Sequence, residues 1–295
     1  MTSAAVLVVS SHVVRGSVGA RSAFVLERLG HRVWSLPTVI LPWHPGHGRA
    51  HRVPVPAEDF KALAADLARA PWLGEVGAVV SGYLADPAQA TAIADLVAAV
   101  KARNPDALYL CDPILGDDGG LYVREDVAAA QRDVLMPVAD LATPNRFELG
   151  WLTGRPVDSL PAVADAARTL SPKKVVVTSA PAMMRGKIAS ALVTARDMVV
   201  AETPMIERAP SGTGDLFGAL LVSRLLEGRP DEQALASAVA GTFELVARSV
   251  KAGSDELDLA LHQDSLVRPM ALVDTRRFGG PAARRRPAPK PDAIP

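Results

Sequence analysis

The chain is short of most features that would attach it to a membrane, an oxidising compartment or a nucleic acid. Across 295 residues there is one cysteine, Cys111, which excludes an internal disulfide framework and fits a reducing cytosol. Aromatic residues make up only 4%, so the core has to come from Val, Leu and Ala, as in parallel strands buried on both faces. Neither sign of charge is in excess, with 32 basic and 32 acidic residues, so no global field favours nucleic acid or an anionic bilayer. The apolar start, Ala4–Val9, is far shorter than the ~20 residues that span a bilayer. Residues 1–11 also lack the basic segment and small-residue cleavage site of a signal peptide, so a cytoplasmic chain with no membrane partner is the expectation. Two common nucleotide signatures are missing too. No Gly-Lys-Ser/Thr ending marks a P-loop, and Ser10–Ala20, after the first apolar run, has glycines only at Gly16 and Gly19.

What is present is an alternation. Ala4–Val9, Val33–Leu36, Ala78–Ser81, Leu108–Cys111 and Lys174–Thr178 read as strands. Ala57–Arg69, Pro87–Arg103, Val163–Leu170 and Gly214–Leu226 read as helices; in Pro87–Arg103 the apolar residues Ile93, Leu96, Val97 and Val100 recur three and four apart. The order predicts an α/β domain with a mostly parallel central sheet covered by helices on both sides. Ile188–Thr203 breaks the rhythm with two β-like runs, Ala189–Val193 and Met198–Glu202, which predict a hairpin on one sheet edge. The domain is expected to occupy residues 1–268. From about Pro269 the chain turns to Arg, Pro and Ala, and 269–295 reads as a disordered, solvated tail.

The sharpest local signal is Ala209-Pro210-Ser211-Gly212-Thr213-Gly214-Asp215-Leu216-Phe217. A glycine turn runs straight into a helix, where small residues let backbone amides approach a ligand and the helix N-terminus adds partial positive charge. Asp215, in the first turn, complements the helix dipole on the bland reading. On the sharper one it accepts a proton from a hydroxyl that attacks a phosphoryl group held by the turn.

At Gly212-Thr213-Gly214-Asp215 the chain resembles the ribokinase superfamily, and more closely the pyridoxal kinase family within it. Five other stretches carry the resemblance in the family's order: Ser11-His12-Val13-Val14-Arg15-Gly16; Gly30 with Val33-Trp34 and Thr38-Val39; Ser81-Gly82-Tyr83-Leu84; Cys111-Asp112-Pro113-Ile114-Leu115-Gly116; and Thr143-Pro144-Asn145 through Glu148. The match covers roughly residues 4–268. It implies a ribokinase-like three-layer α/β/α fold with an antiparallel edge hairpin, usually as a homodimer. It also implies transfer of the γ-phosphate of MgATP to the 5′-hydroxymethyl group of pyridoxal, with K⁺ as a suggested second cation. Carried over residue by residue, Asp215 is the base, and the amides of Gly212, Thr213 and Gly214 stabilise the transferring group. Asp112 and Glu148 hold Mg²⁺ directly or through water, and Asn145, Thr178, Ser179 and Thr213 serve the ATP site. Ser11, Val18, Gly19 and Tyr83 serve the vitamin.

Plainer readings stand beside these: a helix cap followed by a surface acid for Asn145 and Glu148, a core aromatic for Tyr83, and turn residues for Thr178 and Ser179. The chain departs from the family where Trp43-His44-Pro45 replaces Asn-His-Thr, since Pro45 has no hydroxyl to offer the ring, and at Ala20, where an Asn is usual. Pro42–Pro54, with His44, His47 and His51, is expected to cover the site and exclude water. The rival readings are another kinase of the superfamily, such as one acting on hydroxymethylpyrimidine, and a non-catalytic binder of vitamin B6 or nucleotide.

Overall fold

The structure, a computed structural model, describes residues 4–19 and 21–279. In chain order its elements are β1 (Ala5–Arg15), α1 (Ser22–Arg28), β2 (Arg32–Trp43), β3 (Val53–Pro54), α2 (Ala57–Arg69), β4 (Val76–Ser81), α3 (Ala88–Arg103), β5 (Leu108–Cys111) and the two-residue strands β6 (Gly116–Asp117) and β7 (Gly120–Leu121). Then come α4 (Glu125–Ala130), β8 (Leu141–Ala142), α5 (Arg146–Thr153), α6 (Leu160–Ala167), β9 (Lys174–Ala180), β10 (Lys187–Val193), β11 (Asp197–Pro204), α7 (Thr213–Leu226), α8 (Asp231–Lys251), α9 (Gln263–Val267) and β12 (Asp274–Gly279).

One 10-stranded sheet has the order β12-β11-β10-β9-β8-β5-β4-β1-β2-β3, and β6-β7 forms a separate small hairpin. From β9 across to β2 the strands run parallel, while β10, β11, β12 and β3 are antiparallel to their neighbours. Side chains of a strand alternate between faces, and β1 shows what that does. Val6 and Val8 pack with α1, α7 and α8, whereas Leu7 and Val9 pack with α2 and α3 on the opposite face. A third cluster joins α6 to Val175 and Val177 of β9 and Val200 of β11. Burial on both faces explains why these strands read as continuous apolar runs rather than alternating ones.

The helices follow from their patterning. Ile93, Leu96, Val97 and Val100 are all buried along α3. In α2 only Phe60 and Ala64 are buried, with Glu58 and Asp59 in the first turn and Arg69 in the last, each at its favourable end of the helix dipole.

Four expectations need correcting. The first strand runs on to Arg15 and the second to Trp43, because each continues alongside the other past a register shift between Ser10 and His12. The helix expected at Val163–Leu170 begins at Leu160, with Ser159 capping it through the Ala162 N–H (3.4 Å). The hairpin of β10 and β11 forms as expected, but it is not the sheet edge. That place belongs to β12, which lies inside the stretch read as a tail from Pro269 onward. It is an ordered strand because β11 supplies an unpaired ladder, and Arg277 pairs with Glu232 (2.8 Å) and Asp197 (3.4 Å) while Lys187 pairs with Asp274. The remainder of the tail, 280–295, lies outside the described residues.

Candidate active site

The parallel strands finish on one side of the sheet, where open α/β sheets bind their ligands. Beyond β4 come Gly82 and Tyr83, beyond β5 Asp112, and beyond β8 Thr143; Thr178 and Ser179 are among the last residues of β9. Backbone bonds lock these ends side by side. Gly82 N–H donates to Val9 (2.9 Å), Asp112 N–H to Ser81 (2.9 Å), Thr143 N–H to Cys111 (3.1 Å) and Thr178 N–H to Pro144 (2.9 Å).

Into this row points the start of α7. Gly212 is its N-cap, in the left-handed region at φ 92°. A Cβ there would lie 2.5 Å from the Ser17 carbonyl oxygen; one on Gly19 (φ 62°) would lie 2.3 Å from both the carbonyl oxygen and Oγ of Ser11. Both turns therefore require glycine, and their fit brings the β1–α1 loop, with Val18, against the glycine turn. Among the described residues the N–H groups of Gly212, Thr213 and Gly214 have no protein acceptor. Burial raises the Asp215 carboxyl from 3.8 to about 6, while hydrogen bonds from the Gly19 and Asp215 amides pull the other way. The Asp215 carboxyl, the open amides and the loop carrying Ser11, Val18 and Gly19 thus meet in one place.

Asp112 reaches it as well. Its Oδ2 lies 3.9 Å from where a Cβ of Gly214 would sit, and its Oδ1 accepts from the Thr143 hydroxyl (2.9 Å). Burial pushes this carboxyl well above the usual carboxylate range, and the negative charges of Glu148 and Asp215 push it further. Such uncompensated negative charge suits a divalent cation. Among the described residues no three His, Cys, Asp or Glu side chains converge to hold an ion by themselves, so a divalent cation here would complete its shell with phosphate oxygens and water.

Glu148 is buried, not the surface acid of the plainer reading. It closes a capping box with Asn145, its Oε2 accepting from Asn145 N–H (2.8 Å) while Asn145 Oδ1 accepts from Glu148 N–H (2.9 Å). Its Oε1 takes the Leu115 and Gly116 amides (2.8 and 3.4 Å), and Asn145 Nδ2 donates to the Gly116 carbonyl (2.7 Å). Burial raises Glu148 to about 7 against those three amides. With its oxygens so engaged, Glu148 builds the loop beside Asp112. Ser179 is exposed and sits at φ 52°, a left-handed conformation that a serine holds only under constraint and that clusters at ligand sites. Tyr83 is half-buried. Its hydroxyl accepts from Arg52 (3.2 Å), and with Arg52, Tyr122 and Arg124 it lines a cavity of about 260 Å³.

The sequence matches the phosphomethylpyrimidine kinase family over residues 61–259. It is 41% identical over 262 residues to a pyridoxine/pyridoxal/pyridoxamine kinase of Bordetella bronchiseptica, covering 86% of this chain and 93% of that one. To the pyridoxal kinase PdxY of Rubrobacter xylanophilus it is 34% identical over 280 residues, covering 92% and 97%. Its fold superposes on pyridoxal kinase from Leishmania donovani in complex with ADP and pyridoxamine with a TM-score of 0.87 at 27% identity, covering 93% and 99%. The chain belongs to the pyridoxal kinase family. It is an ATP-dependent kinase of ribokinase-like fold.

Within that family, the loop where this kinase departs from the usual sequence is well defined. Pro45–His47 forms a single 3₁₀ turn capped by His44, whose Nδ1 accepts from the Gly46 N–H (3.1 Å). The His44 and His47 rings meet edge to face at 6.3 Å, and His47 Nε2 contacts Glu256 (2.9 Å). Ala20, the other departure, lies outside the described residues. Sequence reasoning missed Ser17, Glu256 and Arg52. Ser17 and Glu256 are 239 positions apart, so no local pattern could join them. Thr143 opens the Thr143-Pro144-Asn145 stretch without a role of its own in the sequence, and its hydroxyl donates to Asp112.

Proposed function

We propose that this kinase transfers the γ-phosphate of ATP to the 5′-hydroxymethyl group of pyridoxal, making pyridoxal 5′-phosphate. The observation that carries the reading is Asp215 beside three amides that find no acceptor among the described residues. Asp215, as the carboxylate, accepts the proton of the attacking alcohol. The Gly212, Thr213 and Gly214 amides meet charge that develops on the transferring phosphoryl group, a preorganised contact worth about 3 kcal/mol per donor. Asp112 would hold Mg²⁺, with Glu148 acting on it through water or charge, and the bound ion would supply charge neutralisation at the phosphates. Thr178 and Ser179 serve the phosphates, and Asn145 fixes the loop around them. Ser11, Val18, Gly19 and Tyr83 border the acceptor. K⁺ is carried over from the same family and is tested by assaying turnover with Na⁺ in its place.

Initial rates with pyridoxal, pyridoxamine, pyridoxine and hydroxymethylpyrimidine test the acceptor. Higher kcat/KM for the pyridine alcohols supports the reading. A preference for the pyrimidine, the class named by the family that matches residues 61–259, overturns it. We take the protein to be a cytoplasmic homodimer. Among the described residues no helix is long and apolar enough to cross a membrane, and sedimentation equilibrium at micromolar protein measures the dimer.

A further inference from the structure

One side chain from the segment after α8 joins the loop that packs on the Gly212 turn to the loop between β2 and β3. The carboxylate of Glu256, only 15% exposed, accepts through Oε2 from both the N–H and the hydroxyl of Ser17 (2.8 Å each). Its Oε1 meets His47 Nε2 at 2.9 Å and lies 3.9 Å from the Arg15 guanidinium. Ser17 carries the link onward. Its Oγ accepts from the Leu257 N–H (3.1 Å) and also lies 3.0 Å from the Ser211 carbonyl, so its one proton is shared between Glu256 and the turn. The Ser17 carbonyl abuts Gly212, and Gly19, two residues on, donates to Asp215. On the other side, His47 belongs to the 3₁₀ turn of the loop between β2 and β3.

We propose that Glu256 is a positioning residue that latches this loop to the anion-binding turn. With His47 seated on one oxygen and Ser17 on the other, closure of the loop and alignment of Gly212 and Asp215 become a single event. An exposed ion pair would contribute little, but a largely buried carboxylate with three donors from two loops fixes both of them. The inference rests on Asp215 being the base. It adds that the family's altered loop in this chain works through His47, since Pro45 has no hydroxyl to offer.

The test compares Glu256→Ala, Glu256→Gln and His47→Ala. For each, kcat, the KM values for ATP and pyridoxal, ADP formation without acceptor, and the melting temperature are measured. Glu256→Ala is expected to lower kcat by about 10- to 100-fold, the scale of a misplaced catalytic group, with the KM for ATP little changed. Glutamine still accepts from Ser17, so Glu256→Gln is expected to recover most of that loss. His47→Ala frees the loop alone and is expected to raise ADP formation without acceptor relative to transfer, as water enters. The proposal fails if folded Glu256→Ala keeps the wild-type kcat, if Gln and Ala are equally impaired, or if His47→Ala leaves the hydrolysis-to-transfer ratio unchanged. Should Glu256→Ala not fold, the other two variants decide by the same criteria. Asp215→Asn assayed alongside separates this failure from that of the base assignment: turnover retained there removes the base, while the His47→Ala ratio still reports the latch.

Discussion

Replacing Asp215 with asparagine should make this kinase more stable and nearly inactive. Burial raises the carboxyl from 3.8 to about 6 in the folded protein. A group whose folded value is raised favours the fold while protonated. That contribution is complete below the unfolded value and is lost as pH climbs through about 6. At pH 8 the folded protein therefore carries the full cost of a desolvated charge, about 3 kcal/mol for a shift of about two units. Asparagine removes the charge and can still accept from Gly19. The expected gain at pH 8 is about 1–3 kcal/mol, or about 2–6 °C in Tm for a chain of this size, shrinking towards pH 5, where the wild-type acid is itself mostly protonated. Turnover should fall at least 100-fold, as for loss of a general base. Thermal melts at the two pH values, with kcat and ADP affinity, make the assay. A variant that melts lower at both pH values and no longer binds ADP would mean that Asp215 is structural, and kcat within tenfold of wild type would mean that it is not the base.

The same site yields further expectations. Because Asp215 must be charged to take a proton, kcat/KM for pyridoxal should fall about tenfold per pH unit below about pH 6, read from a pH–rate profile. Gly19→Ala places a Cβ 2.3 Å from two Ser11 oxygens and should cost both stability and turnover, seen in melts and initial rates. Glu148→Ala leaves the Asn145, Leu115 and Gly116 amides without their acceptor and should lower unfolding free energy by about 3 kcal/mol in urea titrations, with Glu148→Gln losing less. Ending the chain after Gly279 should leave kinetics unchanged, whereas ending it before Asp274 bares the β11 edge and should promote association, measured by light scattering.

Much of this was legible in the sequence because the signals were local. The parallel strands announce themselves as apolar runs because helices cover both faces, and Ile93, Leu96, Val97 and Val100 mark the buried side of α3. The Gly212–Asp215 turn is readable because its backbone needs glycine at Gly212, against the Ser17 carbonyl, and the proposed chemistry needs an acid close by. Strand β12 was not readable: Asp274–Gly279 is exposed throughout, and its order comes from a partner strand far back in the chain. Glu148 misled in the other direction, since its capping spacing was visible but its burial against Leu115 and Gly116 was not. The Ser17–Glu256 contact is purely tertiary, and no spacing rule reaches it.

The central claim is that an alcohol on pyridoxal meets the terminal phosphate of ATP at the open amides of Gly212, Thr213 and Gly214. Its most direct test supplies ATP labelled in the γ-phosphate to the purified protein with pyridoxal and Mg²⁺. The account predicts label on the 5′-oxygen of the vitamin, one for each ADP formed. Label recovered only as inorganic phosphate, with pyridoxal unmodified, would contradict it.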